Sequence, residues 1–493
     1  MMMTIYFISA SLISAIIFLL NNKKVNQILG PVFLVLQLGI GGYALLHREG
    51  QDSVYFTFDS LGILLTLVLS ILSITTFYHS HLYLKRHKGL QKHESIYYAA
   101  LILLIEAMTG AYFANNIGVL WALFEVTTLC VTALIYHERS SIAIEAAWKY
   151  IFICSIGISF AFMGILFLST VAYEGGLTDL NLPDLVATAK GMDITWLKIA
   201  FILIFTGFSA KWGLFPLHSV CVDAHTGAPP PISAFISTTL MNVGFLGVFR
   251  VYSIIAQTDA LPWASHVLMI CGTISIGLSA MQLLRVKHFK RMFAFSSLEQ
   301  MGIVAIAMAA GGIGYYAAVL HIVLHSFAKA GLFYHIGQVD HVYHSYWIKD
   351  TSGYMKINPL GAIVMLLILI MITAMPPSGL FISELMAFRA LFASQHYLVA
   401  VLALGFISVI IFVFGRNFCK ILYTEDASKQ TAKPVIINKA ETISQFVLIG
   451  IIIYLAFSPP LFFTELIDSS VSVMKCQNCN DGITNLLDSK YFP

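Results

Sequence analysis

Gly207-Phe208-Ser209-Ala210-Lys211-Trp212-Gly213-Leu214-Phe215-Pro216-Leu217-His218 closes an apolar run that begins near residue 197. Apolar runs of roughly 18 residues or more read as membrane spans. A lysine inside such a span is costly, so it faces a pore, a partner or a water-filled cavity. Gly213 and Pro216 then interrupt the helix, because glycine loosens the backbone and proline lacks a donor. Within a bilayer, a break of this kind survives only where protein or a cavity satisfies the freed carbonyls. The stretch therefore predicts a broken membrane helix that carries a buried charge.

The rest of the chain agrees with a membrane setting. Of 493 residues, 58% are hydrophobic and 11% charged, against about 25% charged in soluble domains. Mean hydropathy is +0.83. We read about fourteen helices, near 4–21, 28–47, 57–79, 96–113, 115–136, 148–172, 197–217, 230–255, 266–285, 291–310, 314–338, 357–393, 398–415 and 442–463. The twelfth is long and broken in its middle by Met375-Pro376-Pro377-Ser378-Gly379. The expectation is an all-α polytopic membrane protein, one membrane domain over 1–493, with no soluble domain or linker.

Basic residues set the orientation. Nineteen of the 28 Lys and Arg fall in loops at 22–27, 80–95, 137–149, 285–291, 340–356 and 416–441. Six lie on the opposite side or in the tails, and Lys211, Lys329 and Arg389 lie within helices. The positive-inside rule places the rich loops in the cytoplasm. In a bacterium both termini are then periplasmic, the chain sits in the inner membrane, and 464–493 forms a periplasmic tail. The first segment reads as a retained helix, since Lys23 and Lys24 follow it and no basic region precedes it.

Several further charges fall inside the spans. Glu125 lies in the fifth, Glu299 in the tenth, and Glu384 in the twelfth. His321, His325 and Lys329 recur every four residues in the eleventh, which stacks them one turn apart on one face. Imidazole titrates near neutrality, and desolvation brings carboxylates and lysines towards it as well. A set of this kind suits a relay for protons or sodium ions. One buried Glu–Lys pair can also simply hold helices together, but the whole set exceeds what adhesion needs. Glu106 is a further pair partner in the fourth span, and Arg389 reads as a snorkelling side chain.

The two broken spans, seventh and twelfth, stand five helices apart, as do the fifth and tenth. Five is odd, so the second unit enters the membrane from the other side. The spacing predicts inverted repeats at 96–255 and 266–415, with breaks at corresponding points marking the ion site.

Other features carry less. The net charge of +3 and the lack of basic tracts argue against nucleic acid. Cys476 and Cys479 form one CxxC without a second pair, so a tail or a local disulfide is expected rather than zinc. His79, His81, His87 and His93 read as a solvated helix end and loop, with irregular spacing and one nearby carboxylate. No phosphate loop, dinucleotide fingerprint or nucleophile elbow occurs, and no cofactor or metal is expected.

The motifs together resemble the antiporter-like membrane subunits shared by respiratory complex I, multisubunit Na+/H+ antiporters and membrane-bound hydrogenases. The resemblance spans roughly 60–425. It rests on Glu125, Ala146-Ala147-Trp148-Lys149-Tyr150, Lys211 through His218, Asp223-Ala224-His225 and Ala228 through Ala234. It continues through Lys290-Arg291, Ser296-Ser297, Met301-Gly302, the His321–Lys329 row and Pro377 through Glu384. Ser297-Leu298-Glu299-Gln300-Met301-Gly302 and Asn242 look most like the F-type membrane subunit of hydrogenase-4 and formate hydrogenlyase relatives. The chain departs from the family at Ser219-Val220-Cys221-Val222, where Trp-Leu-Pro is common, and it ends without a long lateral helix.

The resemblance implies roles. Glu125 and Lys211 would pair in a first half-channel. His321, His325 and Lys329 would form a central axis, and Glu384 would be the terminal acid. Lys149 would stand near the loop, His218 and His225 near the cytoplasmic entry, and Asn242 would pass protons only by way of water. The chain would move ions in a multisubunit assembly with other membrane subunits, in a lipid bilayer. Two other functions remain open: an ion-coupling partner of a soluble enzyme, such as an inorganic-carbon uptake module, and a lipid-linked-sugar flippase. Interspersed carboxylates argue against the last.

Overall fold

A computed structural model describes residues 1–424 and 439–474. In chain order its helices are α1 (Met2–Leu20), α2 (Lys23–Leu46), α3 (Ser60–Arg86), α4 (Glu94–Phe113), α5 (Ile117–Tyr136), α6 (Ser141–Glu174) and α7 (Leu182–Thr188). They continue with α8 (Ile194–Trp212), α9 (Ser219–Gly227), α10 (Pro230–Phe235), α11 (Met241–Ile255), α12 (Leu261–Leu283), α13 (Phe289–Ala310) and α14 (Ile313–Tyr343). The last are α15 (Tyr354–Ile357), α16 (Pro359–Ile372), α17 (Gly379–Ala393), α18 (Tyr397–Tyr423), α19 (Lys439–Phe457) and α20 (Leu461–Ser472). A two-stranded hairpin, Gln51–Ser53 with Phe56–Thr57, is the sheet among the described residues.

Among the described residues, thirteen helices are long and apolar enough to cross a membrane. Over the expected twelfth span, 357–393, the chain forms two shorter helices, α16 and α17, of which α16 is apolar but only 14 residues long. Burial sorts the helices into layers. The apolar windows of Pro230–Ile255 and Phe289–Ala310 are buried throughout, and that of α14 nearly so. About a third of the windows of α1, α2 and α18 is buried. Interior helices surrounded by protein can carry charge, whereas helices that present apolar side chains outward suit lipid. Of the expected charges, Glu299, His321, His325 and Lys329 fall on the inner helices α13 and α14 and Glu384 on α17, packed against both, whereas Glu125 and Lys211 fall on the partly buried α5 and α8.

Three interruptions shape this interior. The seventh span stops at Trp212, earlier than the expected 217, because Gly213 turns left-handed with φ of 77°. An L side chain there is strained. The chain then passes Pro216 and resumes as α9, in the stretch read as a loop. The second break separates α16 from α17 across Pro376-Pro377, and Ser378 caps α17 by accepting the Phe381 N–H at 3.1 Å. The third was not foreseen. The span read as a regular helix over 230–255 contains a π-helical segment, Ile236–Leu240, between α10 and α11. A π segment widens the turn and frees carbonyls for other donors.

The last span also differs from expectation. The run read as 442–463 is α19, followed by a separate α20 that packs on α3. Residues 464–472 of the expected tail thus belong to a helix, tied down by Arg48, whose guanidinium donates to the Glu465 carbonyl at 3.1 Å and to Ser469 Oγ. Cys476 and Cys479 lie outside the described residues. His79, read as solvated, is buried and stacks on Tyr334 at 4.1 Å.

Candidate functional site

Lys211 lies at the end of α8, 2% exposed. α11 presses on the helix end here. A Cβ added at Gly244 would meet the Trp212 nitrogen at 2.3 Å, so the close approach requires glycine. The ammonium points to α5, donating to the Phe124 carbonyl and to Thr127 Oγ1 at 2.5 Å. Thr127 Oγ1 also donates to the Phe124 carbonyl at 2.7 Å. No ion pair joins Lys211 to Glu125. Their charges interact at longer range, and Glu125 Oε2 has no protein hydrogen-bond partner. The expected Glu–Lys pair is therefore open. Glu125 follows Phe124 on a helix whose carbonyl and hydroxyl have captured the lysine instead.

Lys329 on α14 meets an equivalent cradle. Its ammonium donates to the Phe293 carbonyl at 3.2 Å and to Ser296 Oγ, and Ser296 Oγ donates to that carbonyl at 3.0 Å. Each lysine thus binds a phenylalanine carbonyl and a hydroxyl three residues on, which helical geometry places beside it. Glu299, one turn beyond Ser296, interacts electrostatically with Lys329 without touching it.

Ser326, His325 and His321 of α14 meet an amide, a carbonyl and a hydroxyl of neighbouring elements. Asn242 donates to Ser326 Oγ at 3.0 Å. His325 Nε2 lies 3.3 Å from the Ser237 carbonyl, inside the π segment, and Ser237 Oγ shares a 2.7 Å bond with Ser297 Oγ. His321 Nδ1 meets Ser383 Oγ of α17 at 2.9 Å. The two imidazoles lie 6.3 Å apart, centroid to centroid. His321 Nε2 and His325 Nδ1 have no protein partner.

The row ends in a pair of acids. Gln300 Nε2 lies 3.2 and 3.1 Å from the two Glu299 oxygens and 3.3 Å from Glu384 Oε1. One amide therefore spans two buried carboxylates. Like charges this close repel, and a proton shared between them removes the repulsion. Among the described residues, no group of three or more His, Cys, Asp or Glu could hold a metal ion.

A family model described as NADH:quinone oxidoreductase/Mrp antiporter, TM, matches residues 114–411. The chain belongs to that family. The match runs from α5 to α18 and so includes both lysine cradles and the acid pair. The hydrogenase-4 component F homolog of Methylacidiphilum infernorum is 30% identical over 403 residues, covering 79% of this chain and 84% of that protein. Hydrogenase-4 component B of Escherichia coli is 26% identical over 388 residues; this chain spans 56% of its length. In structure, the chain resembles one from the membrane-bound sulfane sulfur reductase, an archaeal respiratory membrane complex. The TM-score is 0.83 at 22% identity, over 96% of both chains. That likeness speaks for the fold. The chain is thus an antiporter-like, multi-pass membrane subunit.

The remaining candidates lie off the row. Lys149 is 47% exposed and pairs with Glu145 at 2.6 Å and Asp223 at 3.5 Å, while Arg291 reaches Asp223 at 3.7 Å. It belongs to a rim cluster on the face that carries the basic loops. His218 is half-buried in the break between α8 and α9. His225 is fully buried, stacked on Phe333 at 5.3 Å, with neither ring nitrogen partnered by protein.

Sequence reasoning missed Thr127, Ser237, Ser296, Gln300 and Ser383 as members of the row. Their signal was adjacency: each is within three residues of Glu125, Asn242, Glu299 or Glu384, or within the motif quoted around them, apart from Ser237. Arg250 was read as an outer-side charge. It is buried, paired with Asp59 at 3.0 Å, and donates to the carbonyls of Ala111, Tyr112 and Ala114 at the end of α4.

Proposed function

We propose that this subunit carries protons across a bacterial inner membrane along the row from Lys211 to Glu384, as part of a multisubunit respiratory or hydrogenase-type assembly. The observation that carries the reading is the bridging of Glu299 and Glu384 by Gln300, which gives the row a terminal acid pair able to hold one proton. The basic face is cytoplasmic and the termini are periplasmic, as the positive-inside rule requires. Residues 96–255 and 266–415 are the two inverted halves, each with a lysine cradle on its α5-type helix.

In this scheme a partner subunit drives the Lys211–Glu125 pair between open and closed states. A proton released from Lys211 passes Asn242 and Ser326, then His325 and Lys329, and reaches Glu299 and Glu384 at the second break. The imidazoles and hydroxyls suit protons better than sodium, because each can both donate and accept. Glu125, Lys211, Glu299, His321, His325, Lys329 and Glu384 bear the ion; Lys149, His218, His225 and Asn242 support it.

The test is acidification of inverted vesicles that hold the native partners, with and without sodium, comparing wild type with Lys211→Ala and Glu384→Gln. Loss of acidification in both assembled variants supports the row. Persistence in both makes these residues helix adhesive. Acidification that requires sodium replaces the proton with sodium as the carried ion.

A further inference from the structure

α14 continues beyond Lys329 in the same four-residue steps. His321, His325, Lys329, Phe333, Gly337 and His341 follow one another at about 6 Å per step along the helix. Rows of this spacing form a ridge that winds slowly round the axis. Two members of the row carry no polar group. At Phe333 the imidazole of His225 lies over the ring and supplies one. At Gly337 there is no side chain, and the position opens into a cavity.

That cavity has a volume of about 280 Å³. Gly337, Tyr334, Asp340 and His341 line it from α14, Arg86 from α3, and Pro230 from α10. It lies at the ends of α3 and α14 beside the basic loops. Its outer wall is fixed, because Arg86 grips Glu441 of α19 through bonds of 3.0 and 2.5 Å, and His79 meets Ser444 at 2.8 Å. Its floor is narrow: a Cβ at Gly337 would lie 3.5 Å from Pro230 Cβ, ordinary contact, while a longer side chain would project into the open space. Behind Pro230, the α10 residue Ser233 donates to the His225 carbonyl at 2.9 Å, which holds His225 between the floor and the helix. Lys329 acts electrostatically on His225.

We propose that this cavity is an ion inlet from the basic face, leading past Gly337 and the His225 imidazole to Lys329. The second half of the row then draws on its own mouth and does not depend wholly on delivery from Lys211. The inlet rests on the reading of the row as an ion path and adds where that path opens.

Gly337→Leu fills the floor, and Gly337→Cys allows it to be filled after assembly by a membrane-impermeant cationic thiosulfonate. Both are compared in inverted vesicles with wild type treated alike, and with Lys329→Met. Pumping at least ten-fold lower in Gly337→Leu, and a similar loss on labelling Gly337→Cys but not wild type, is the expected result. If Gly337→Leu fails to assemble, the labelled Gly337→Cys decides. A thiol at 337 that the reagent cannot reach, or whose labelling leaves pumping unchanged while Lys329→Met abolishes it, overturns the inlet and leaves the row intact. Normal pumping in Lys329→Met overturns the row, and the inlet with it.

Discussion

Glu299 on α13 and Glu384 on α17 are joined through a single amide, that of Gln300, although 85 positions separate them in the chain. The amide offers two N–H groups to carboxylates that together have many lone pairs. Gln300→Leu removes the bridge and leaves both acids without it. Losing a buried hydrogen bond costs about 1–3 kcal/mol, so acidification by inverted vesicles should fall about ten-fold with assembly retained. An unchanged rate would show that the acids act independently.

Thr127 holds Lys211 away from Glu125. Thr127→Val removes the hydroxyl with little change of shape, and Thr127→Ser keeps it. The valine variant should pump several-fold more slowly, because the lysine loses its side-chain acceptor and its choice between Phe124 and Glu125 shifts. Serine should restore most of the rate. Equal rates for valine and wild type would remove Thr127 from the mechanism.

Gly244 allows α11 to rest on the Lys211–Trp212 backbone. Gly244→Ala forces the helices apart, and such overpacking costs about 1–3 kcal/mol. Thermal unfolding of the purified assembly should occur several degrees lower. An unshifted transition would mean that α8 moves aside freely.

Arg250 satisfies three carbonyls at the end of α4 and the carboxylate of Asp59. Asp59 is partly exposed, but the three carbonyls are buried with Arg250 as their donor, and leaving a buried acceptor unmet costs about 1–3 kcal/mol. Arg250→Met should lower the amount of assembled protein sharply, while whatever assembles pumps at the normal rate per molecule. Normal assembly yield would show that α4 needs no such cap.

His288, just before α13, is held down to about 4 by burial and by the neighbouring Lys290 and Arg291. The folded protein thus binds this proton less readily than the unfolded chain. The group has its full stabilising effect above about pH 6.5 and loses it as pH falls towards 4. Melting temperatures at pH 7 and pH 5 should differ less in His288→Asn than in wild type. Identical differences would show that His288 does not contribute.

By itself, the sequence determined the membrane class and the breaks near Pro216 and Pro377. These follow from the length of apolar runs, from prolines and from the distribution of lysine and arginine, all of which act locally along the chain. It also marked Lys211, Glu299, His321, His325, Lys329 and Glu384 as buried, since a charge in those spans is costly to leave in lipid. Glu125 is only half-buried and Arg389 exposed, while Arg250, read as an outer-side charge, is buried. The His321–Lys329 face was legible because helical periodicity alone sets it.

Only the tertiary structure decided which groups meet. Lys211 binds a carbonyl and a hydroxyl rather than Glu125, Gln300 reaches Glu384, and His325 meets the Ser237 carbonyl within the π segment. Backbone carbonyls and serine hydroxyls carry no distinctive mark in a sequence, yet inside a bilayer they are the nearest acceptors for a buried donor. Which of them a lysine or imidazole reaches depends on helix rotation and close approach, as at Gly244, and those are fixed by packing across the whole bundle.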